Sequence, residues 1–93
     1  MQNILFRKPA LILLSLLKQT ETPKSMTWLS WETRTNFSHV LNLIKNMELN
    51  GIVSTEKRDR IREVVLTTKG KIIAQEIEKM INKLENETRT NAN

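Results

Sequence analysis

The sequence predicts a small, mainly α-helical domain that contains one β-hairpin, an α+β fold. Apolar residues recur at helical spacing between residues 36 and 50, and again between residues 68 and 86. Between these two segments, runs of β-branched residues flank a charged connector, which is the pattern of a hairpin. The chain has 93 residues, the length of a single domain, so one core must hold all of these elements.

Residues 9–18 are predicted to form the first helix. Proline suits the first turn of a helix because its missing N–H would have no partner there, and Pro9 occupies that position. Residues 10–17 are almost all apolar, so we expect this helix to be buried on nearly every side. The apolar run is too short to cross a membrane and no small-residue cleavage site follows it, so we expect neither a membrane span nor a signal peptide. The apolar residues 4–6 are a candidate contact with a partner subunit.

Residues 28–33 are predicted to form a short second helix after a polar connector. Ser25 or Thr27 offers a hydroxyl to its free N–H groups and is therefore the expected N-cap. Trp28 and Trp31 are three positions apart, so they share part of one helix face. We expect at least one of them in the core, because indoles bury large apolar areas; the alternative is an exposed platform for stacking.

The third helix, residues 36–50, is the segment around which the other elements are organised. Thr35 or Asn36 can cap its start. Asn50 followed by Gly51 suits its end, because glycine adopts the left-handed conformation without a Cβ clash. Apolar residues at helical spacing place one stripe against the core. The stripe consists of Phe37, Val40, Leu41, Ile44 and Met47.

The opposite face of the third helix is polar and contains no carboxylate. At about 100° per residue it holds Ser38, His39, Asn42 and Asn46. Small hydrogen-bonding side chains of this kind suit the edges of DNA bases, so we expect this face to contact DNA. His39 could instead be an ordinary exposed histidine. A metal role is disfavoured, because a single histidine without cysteines cannot assemble a zinc site.

A β-hairpin is predicted in the segment that follows. Its strands are the β-branched runs 52–55 and 63–67, and residues 56–62 form a charged connector. Acidic residues interleave with the cations here, so the connector could be a simple solvated turn. We favour contact with phosphates or the minor groove, because a hairpin beside a DNA-contacting helix meets the DNA backbone. The predicted contacts are Lys57, Arg58, Arg60 and Arg62.

The last predicted helix covers residues 68–86, with Thr67 as its N-cap. Its apolar residues recur at spacings of 4, 3 and 4, which is the pattern of an a/d seam between paired helices. We expect this seam to form a dimer interface, and the alternative is that it folds back on its own domain. The domain would then cover residues 1–86, including this dimerisation helix, and a flexible polar tail would follow at residues 87–93. The seam consists of Ile73, Ile77, Met80, Ile81 and Leu84.

The order of these elements is that of a winged helix-turn-helix. A short helix, a turn and a longer helix with a polar outer face form the helix-turn-helix, and the hairpin that follows would be its wing. Residues 47–53, Met-Glu-Leu-Asn-Gly-Ile-Val, resemble the Leu-Glu-x-x-Gly-Leu-Val segment that closes the recognition helix of MarR-type and PadR-type regulators. Residues 66–70, Leu-Thr-Thr-Lys-Gly, resemble the Leu-Thr-x-x-Gly that joins the wing of those proteins to the next helix.

The resemblance extends over most of the chain, residues 9–84, and implies a winged helix-turn-helix with a C-terminal dimerisation helix. The long helices that surround the DNA-binding core of MarR proteins have little room in this chain. The compact winged-helix proteins of archaea, viruses and plasmids are therefore more similar to it in style. Some proteins of that group repress transcription and others bind plasmid centromeres, and no residue of this sequence separates the two functions.

The composition favours a nucleic-acid partner and disfavours catalysis. The net charge of +5 suits a polyanion. The chain has no cysteine, one histidine and only two glycines, so neither a thiolate metal site nor a glycine-rich phosphate loop can be assembled from it. We expect no enzymatic activity, no cofactor, no metal and no membrane association, and a location in the cytoplasm at the nucleoid.

These residues and the resemblance together predict a homodimer that binds double-stranded DNA sequence-specifically and represses transcription. The first alternative is a centromere-binding or architectural protein that spreads along DNA and has a further protein partner. The second is a protein-interaction module whose basic hairpin binds an acidic partner. We expect Asn42 to read a base edge, since an amide can bond adenine bidentately. The predicted DNA contacts are Thr35, Asn36, Ser38, His39, Asn42, Lys45, Asn46, Lys57, Arg58, Arg60 and Arg62.

Overall fold

Four helices and a two-stranded antiparallel hairpin make up the described part of the protein, so the predicted α+β class is confirmed. The computed structural model describes residues 8–92, and it describes side chains from residue 8 to residue 86. The apolar patch at residues 4–6 lies outside the described residues. The elements are α1 (Lys8–Leu17), α2 (Met26–Thr33), α3 (Phe37–Leu49), β1 (Val53–Arg58), β2 (Ile61–Leu66) and α4 (Thr68–Ala92).

The hydrophobic core lies where α1, α2, α3 and the first turns of α4 meet the base of the hairpin. Helix α1 contributes Ile12, Leu13 and Leu16, which are all buried, as its apolar run predicted. Pro9 and Leu11 are exposed, so α1 is buried on one broad face rather than on nearly every side. The other buried apolar residues are Leu29, Val40, Ile44, Met47, Val53, Val64 and Ala74.

Helix α2 begins at Met26, slightly before the predicted start, and Ser25 is its N-cap. The Ser25 hydroxyl accepts a hydrogen bond from the Trp28 N–H at 3.0 Å. Trp28 packs against the core, whereas Trp31 is 80% exposed. The prediction that at least one of the two tryptophans belongs to the core is therefore confirmed.

Helix α3 has the predicted caps, but its buried stripe is narrower than predicted. The side chain of Asn36 accepts a hydrogen bond from the Ser38 N–H at 2.8 Å, and Gly51 follows the helix with a φ of +71°. Leu41 is only half-buried, and Phe37 is 48% exposed. Phe37 is the first residue of α3, so no preceding helical turn covers it. The prediction of Phe37 as a core residue was wrong.

The hairpin has longer strands and a shorter turn than predicted. Its ladder extends to the pair Arg58–Ile61, so only Asp59 and Arg60 connect the strands. The prediction of residues 56–62 as a connector was wrong, because most of them pair across the ladder despite their low strand propensity. Asp59 has a φ of +55°, which lets the chain reverse within this short turn.

The connector before α2 pairs with the outer edge of the hairpin, which the sequence did not predict. The Val64 N–H donates to the Lys24 carbonyl at 2.9 Å, and Ser25 forms an isolated antiparallel bridge with Glu63. The Lys24 ammonium donates to the Leu16 carbonyl at 2.6 Å. Burial lowers the pKa of Lys24, and the Glu63 carboxylate partly offsets that effect. The connector thus ties the end of α1 to the hairpin.

A close backbone contact joins the base of the hairpin to the start of α4. Thr67 Oγ1 accepts the N–H of Gly70 at 3.0 Å, as predicted for the N-cap, and donates to the Gly51 carbonyl at 2.6 Å. A Cβ on Gly70 would lie 2.0 Å from the carbonyl oxygen of Ile52. The last position of the Leu-Thr-Thr-Lys-Gly segment is therefore a glycine for reasons of space.

Helix α4 packs on α1 through its first turns. Ala74 is buried, and Ile73 and Ile77 are half-buried against the core. The N-terminal part of the predicted seam therefore folds back on its own domain, while Met80 is 52% exposed. The helical backbone continues to Ala92, past the predicted end, since neither glycine nor proline occurs after residue 70 to stop it. The flexible tail at residues 87–93, where no side chain is described, stays a prediction.

Candidate nucleic-acid interface

The outward face of α3 is a continuous exposed surface. Five predicted contact residues occupy about 120° of the helix circumference, so they share one side. Glu48, the acidic residue of α3, lies outside that arc. The surface therefore offers hydroxyl, imidazole, amide and ammonium groups without a carboxylate. The five residues, all exposed, are Ser38, His39, Asn42, Lys45 and Asn46; Leu49, which is 85% exposed, lies on the same arc at the end of the helix.

Thr35 and Asn36 lie at the N-terminal edge of this surface, and their side-chain oxygens make local hydrogen bonds. Thr35 is half-buried, and its hydroxyl donates to the Thr33 carbonyl at 3.0 Å. Asn36 uses its side-chain oxygen to cap α3. Both residues thus shape the turn that presents α3, and their contact with DNA stays a prediction.

The hairpin sorts its charges by face. Side chains directly opposite in an antiparallel ladder lie on the same side of it, and sides alternate along each strand. Lys57 pairs with Arg62 on the side that carries the buried valines of the hairpin base. Glu56 pairs with Glu63 on the other side. The ladder therefore separates the cation pair Lys57–Arg62, on the side toward α3, from the carboxylate pair Glu56–Glu63, on the other side.

The four predicted hairpin cations are not all brought together. Arg58 lies on the carboxylate side, where its guanidinium is 3.5 Å from the Glu63 carboxylate. Arg60 lies in the turn, is exposed, and borders the space between the hairpin and α3. The structure places Arg60 and Arg62 beside the α3 residues of this space, Lys57 opposite Arg62 on the same side of the ladder, and Arg58 on the other side.

A chain of hydrogen bonds links α3 to the hairpin, and the sequence analysis missed its acidic member. Thr55 Oγ1 donates to Glu48 Oε2 at 3.2 Å, and Arg62 Nη1 donates to Thr55 Oγ1 at 3.4 Å. These bonds hold a wing cation at a defined place relative to α3. The position of Glu48 beside the apolar stripe, one turn after Ile44, was the available signal.

An open groove of about 560 Å³ lies between α3, the start of α2 and the hairpin. The apolar side chains of Phe37 and Ile61 line it together with the cations Lys45, Arg60 and Arg62. Phe37 therefore faces this groove rather than the core. Lys45 belongs to both, so the groove adjoins the outward face of α3, but unlike that face the groove has a carboxylate, Glu48, in its lining.

The turn between α2 and α3 contains a second exposed feature that the sequence analysis missed. Arg34 ends α2 in the left-handed conformation, with φ 52° and ψ 48°. It forms a shallow depression of about 290 Å³ with Ser30, Trp31 and Thr35. The turn sequence has no glycine, so the residue pattern gave no sign of a left-handed residue here.

The described residues contain neither a membrane-spanning helix nor a cluster of metal-binding side chains. Among residues 8–92, no helix has the length and apolar character needed to cross a membrane. The side chains described include no group of three or more His, Cys, Asp or Glu that could hold a metal ion. His39, the single histidine of the chain, lies on the exposed face of α3.

Comparison with known proteins places this geometry in a family. The family model described as winged helix-turn-helix matches residues 7–85. Among solved structures, AF1382 from Archaeoglobus fulgidus is 26% identical, with a TM-score of 0.76, over 84% of this chain and 88% of that protein. No curated protein sequence matches the chain.

Bacterial transcription regulators share the fold at lower identity. MepR, a transcription regulator of the Staphylococcus aureus multidrug efflux pump MepA, has a TM-score of 0.80 and 15% identity, over 91% of this chain and 64% of MepR. The MarR family transcriptional regulator SPO1453 from Silicibacter pomeroyi DSS-3 has a TM-score of 0.75 and 22% identity, over 88% of this chain and 59% of SPO1453. This chain therefore spans less than two thirds of either regulator. The predicted MarR-like winged-helix fold is confirmed.

Proposed function

This chain belongs to the winged helix-turn-helix family, and we propose that it is a homodimeric DNA-binding regulator that represses transcription from a pseudo-palindromic operator. In a helix-turn-helix, the second helix enters the major groove while the first crosses the phosphate backbone. Helix α3 has the recognition position here, and the hairpin is the wing. The similar fold of a MarR family transcriptional regulator supports a role in transcription.

The observation that best supports DNA binding is the separation of cations from carboxylates on the two sides of the wing. Lys57 and Arg62 lie directly opposite each other, and like charges in such a pair repel. A phosphate bound beside them relieves that repulsion and gains charge-assisted hydrogen bonds. The carboxylates Glu56 and Glu63 lie on the far side of the ladder, so they oppose this contact less than their position in the sequence suggests.

The exposed face of α3 supports the reading of bases. Ser38 and His39 lie near the N-terminus of the helix, the end that contacts base edges in helix-turn-helix proteins. Asn42 lies one turn further along the same face, and its amide can bond adenine bidentately. Asn42 is therefore the proposed base-reading residue, with Lys45 and Asn46 beside it.

The exposed apolar residues of α4 support a dimer. Ile72 and Met80 are both more than half exposed, and contact with a second copy would remove them from water. A two-fold axis near these residues would relate the α3 helices of the two subunits, so that the dimer presents two recognition helices to the DNA. The two helices would then enter major grooves about 10 base pairs apart, or a multiple of a helical turn.

A matched pair of variants, Arg62→Ala and Arg58→Ala, tests DNA binding by this surface. Both remove one wing arginine and change the net charge equally, but they act on opposite sides of the ladder. We expect Arg62→Ala to lower the affinity for duplex DNA by about tenfold and Arg58→Ala by about twofold. Fluorescence anisotropy with a labelled duplex from the DNA flanking the gene measures both. Equal losses would contradict a role for the charge sorting.

The salt dependence of binding is a second readout of the same experiment. If Lys45, Lys57, Arg60 and Arg62 each neutralise one phosphate in both subunits, about eight counterions are released and log K falls with log salt at a slope of about −7. Arg62→Ala should reduce the slope by about 2. A slope near zero would contradict DNA binding and favour the protein-interaction module.

A DNase I footprint separates the proposed regulator from the spreading alternative. A dimeric regulator gives one bounded, symmetric footprint on the DNA flanking its gene. A centromere-binding or architectural protein gives a footprint that lengthens as protein is added. The second result would replace repression by segregation or DNA coating while leaving the DNA-binding surface in place.

A further inference from the structure

The outer face of α2 carries an indole that the fold does not use. Trp28 packs against the core, but Trp31, three residues later and about 60° further around the helix, is 80% exposed. An exposed tryptophan leaves a large apolar area in contact with water, which is unfavourable unless a partner covers it. Trp31 is therefore a candidate contact residue rather than a packing residue.

Arg34, beside Trp31, has a backbone conformation that arginine adopts only at a cost. Its φ of 52° is in the left-handed region, where residues with a Cβ are less stable than glycine. A glycine would fit this turn without strain. A left-handed residue is common at the end of a helix, but it is usually glycine or asparagine, so the presence of an arginine at this C-cap is the reason to look for a ligand of its side chain.

The surroundings of these two residues favour an anion. Ser30, Trp31, Arg34 and Thr35 line the depression, and none of them is acidic. The neighbouring carboxylate of Glu32 is paired with the Lys18 ammonium.

A second cation, Lys8, offsets the partial negative charge at the C-terminal end of α2, which would otherwise oppose an anion. The Lys8 ammonium donates to the carbonyl oxygens of Thr33 and Arg34, at 2.8 and 3.4 Å, so it lies at the end of α2. Thr35 connects the depression to the N-terminal edge of the α3 surface.

We propose that Trp31 and Arg34 form a second contact with duplex DNA, on the sugar-phosphate backbone that flanks the major groove occupied by α3. Arg34 binds a phosphate, and the indole of Trp31 packs on the adjacent deoxyribose. This inference rests on the proposed DNA binding and adds residues that the wing and α3 do not supply. It agrees with the backbone-crossing position of the first helix in a helix-turn-helix.

The variant Trp28→Phe makes the test direct, because the chain has only two tryptophans and Trp31 becomes the single fluorophore. The protein is titrated with a fluorescein-labelled duplex from the DNA flanking its gene, and binding is followed by the anisotropy of the label. Acrylamide quenching of tryptophan fluorescence is measured in the same samples. We expect the quenching constant of Trp31 to fall severalfold as the duplex saturates the protein.

Trp31→Phe is the matched control, because it leaves only the partly buried Trp28. Its quenching constant should change little on DNA binding. Arg34→Gly provides a second, independent measurement: glycine relieves the left-handed strain, so the melting temperature should not fall, while the affinity for duplex falls about fivefold. The unaltered protein should lose its quencher-accessible fluorescence in the same titration.

The outcomes separate this inference from the proposed function. Anisotropy that rises while Trp31 stays accessible, or Arg34→Gly binding as tightly as the unaltered protein, overturns the second contact and leaves DNA binding standing. Protection of Trp31 that grows with protein concentration without DNA assigns the indole to a protein contact and also overturns it. An anisotropy that does not rise at all overturns both.

Discussion

Gly70 shows at the scale of one residue how space, rather than backbone conformation, selects an amino acid. A Cβ at this position would lie 2.0 Å from the Ile52 carbonyl oxygen, which belongs to the backbone and cannot rotate away. We expect Gly70→Ala to lower the free energy of unfolding by about 3 kcal/mol, because α4 or the hairpin base has to move. Urea denaturation followed by circular dichroism measures the loss.

Gly51→Ala is the control for that prediction. Nothing lies within 4 Å of the Cβ position at Gly51, but its φ is +71°, so the substitution introduces only backbone strain. We expect a loss of about 1 kcal/mol. If Gly70→Ala cost no more than Gly51→Ala, the close approach of the Ile52 carbonyl to α4 would not exist in solution.

The residues that the sequence predicted correctly are those whose role is local. The caps Ser25, Asn36 and Thr67 were predictable because a hydroxyl or amide at the end of an apolar stripe has one nearby set of free N–H groups. The left-handed conformation of Arg34 was not predictable, since arginine does not mark one. Aspartate is a residue type enriched there, but Asp59 was assigned to a seven-residue connector, which hid the position of the turn. Their conformations follow from the elements that they connect.

At the scale of one element, the hairpin was predictable in kind but not in extent. Its β-branched ends are a local signal, whereas the strand character of residues 56–58 depends on partners across the ladder. The register decides on which side of the ladder each charge lies. That separation could not be predicted while residues 56–62 were assigned to a connector. The prediction of Phe37 as a core residue was wrong for a similar reason. Its burial depends on where the hairpin lies relative to the first turn of α3, which the spacing of apolar residues does not show.

The hydrogen bonds between α3 and the hairpin predict a role for Thr55 in placing the wing. Thr55→Val removes the hydroxyl that joins Glu48 to Arg62 but keeps the shape and strand propensity of the residue. We expect affinity for duplex DNA to fall about fivefold, because Arg62 is no longer held in place, with little change in the free energy of unfolding. Anisotropy and urea denaturation are measured on the same preparation.

Thr55→Ser is the matching variant, because it restores the hydroxyl. It should bind DNA nearly as tightly as the unaltered protein. A Thr55→Val protein with unchanged affinity would show that the wing finds its place without these bonds.

At the scale of the whole molecule, α4 divides between two tasks. Its first turns pack on α1 through Ala74, and Ile77 is half-buried against the same core. Met80, less than one turn further along, is 52% exposed. The sequence predicted one continuous seam because periodicity does not tell which part of a helix faces its own domain.

This division predicts opposite results for two lysine substitutions on α4. We expect Met80→Lys to weaken self-association because it adds a charge to an exposed apolar surface, and to leave the melting temperature of the dilute monomer unchanged. We expect Ile77→Lys to lower the free energy of unfolding by about 3 kcal/mol, because it places a charge at the edge of the core. Sedimentation equilibrium and thermal unfolding measure the two effects. A Met80→Lys protein that remains fully dimeric would move the interface away from this part of α4.

The register of the hairpin makes the order of its residues matter more than their composition. Because neighbouring strand residues point to opposite sides, exchanging Glu56 and Lys57 would leave length, composition and the net charge of +5 unchanged. The exchange would nevertheless place a carboxylate opposite Arg62 and move an ammonium to the far side. Two proteins with the same amino-acid content would then differ in whether the wing attracts a phosphate. Their net charge cannot predict which of them binds DNA more tightly, but the side of the ladder on which each charge lies can.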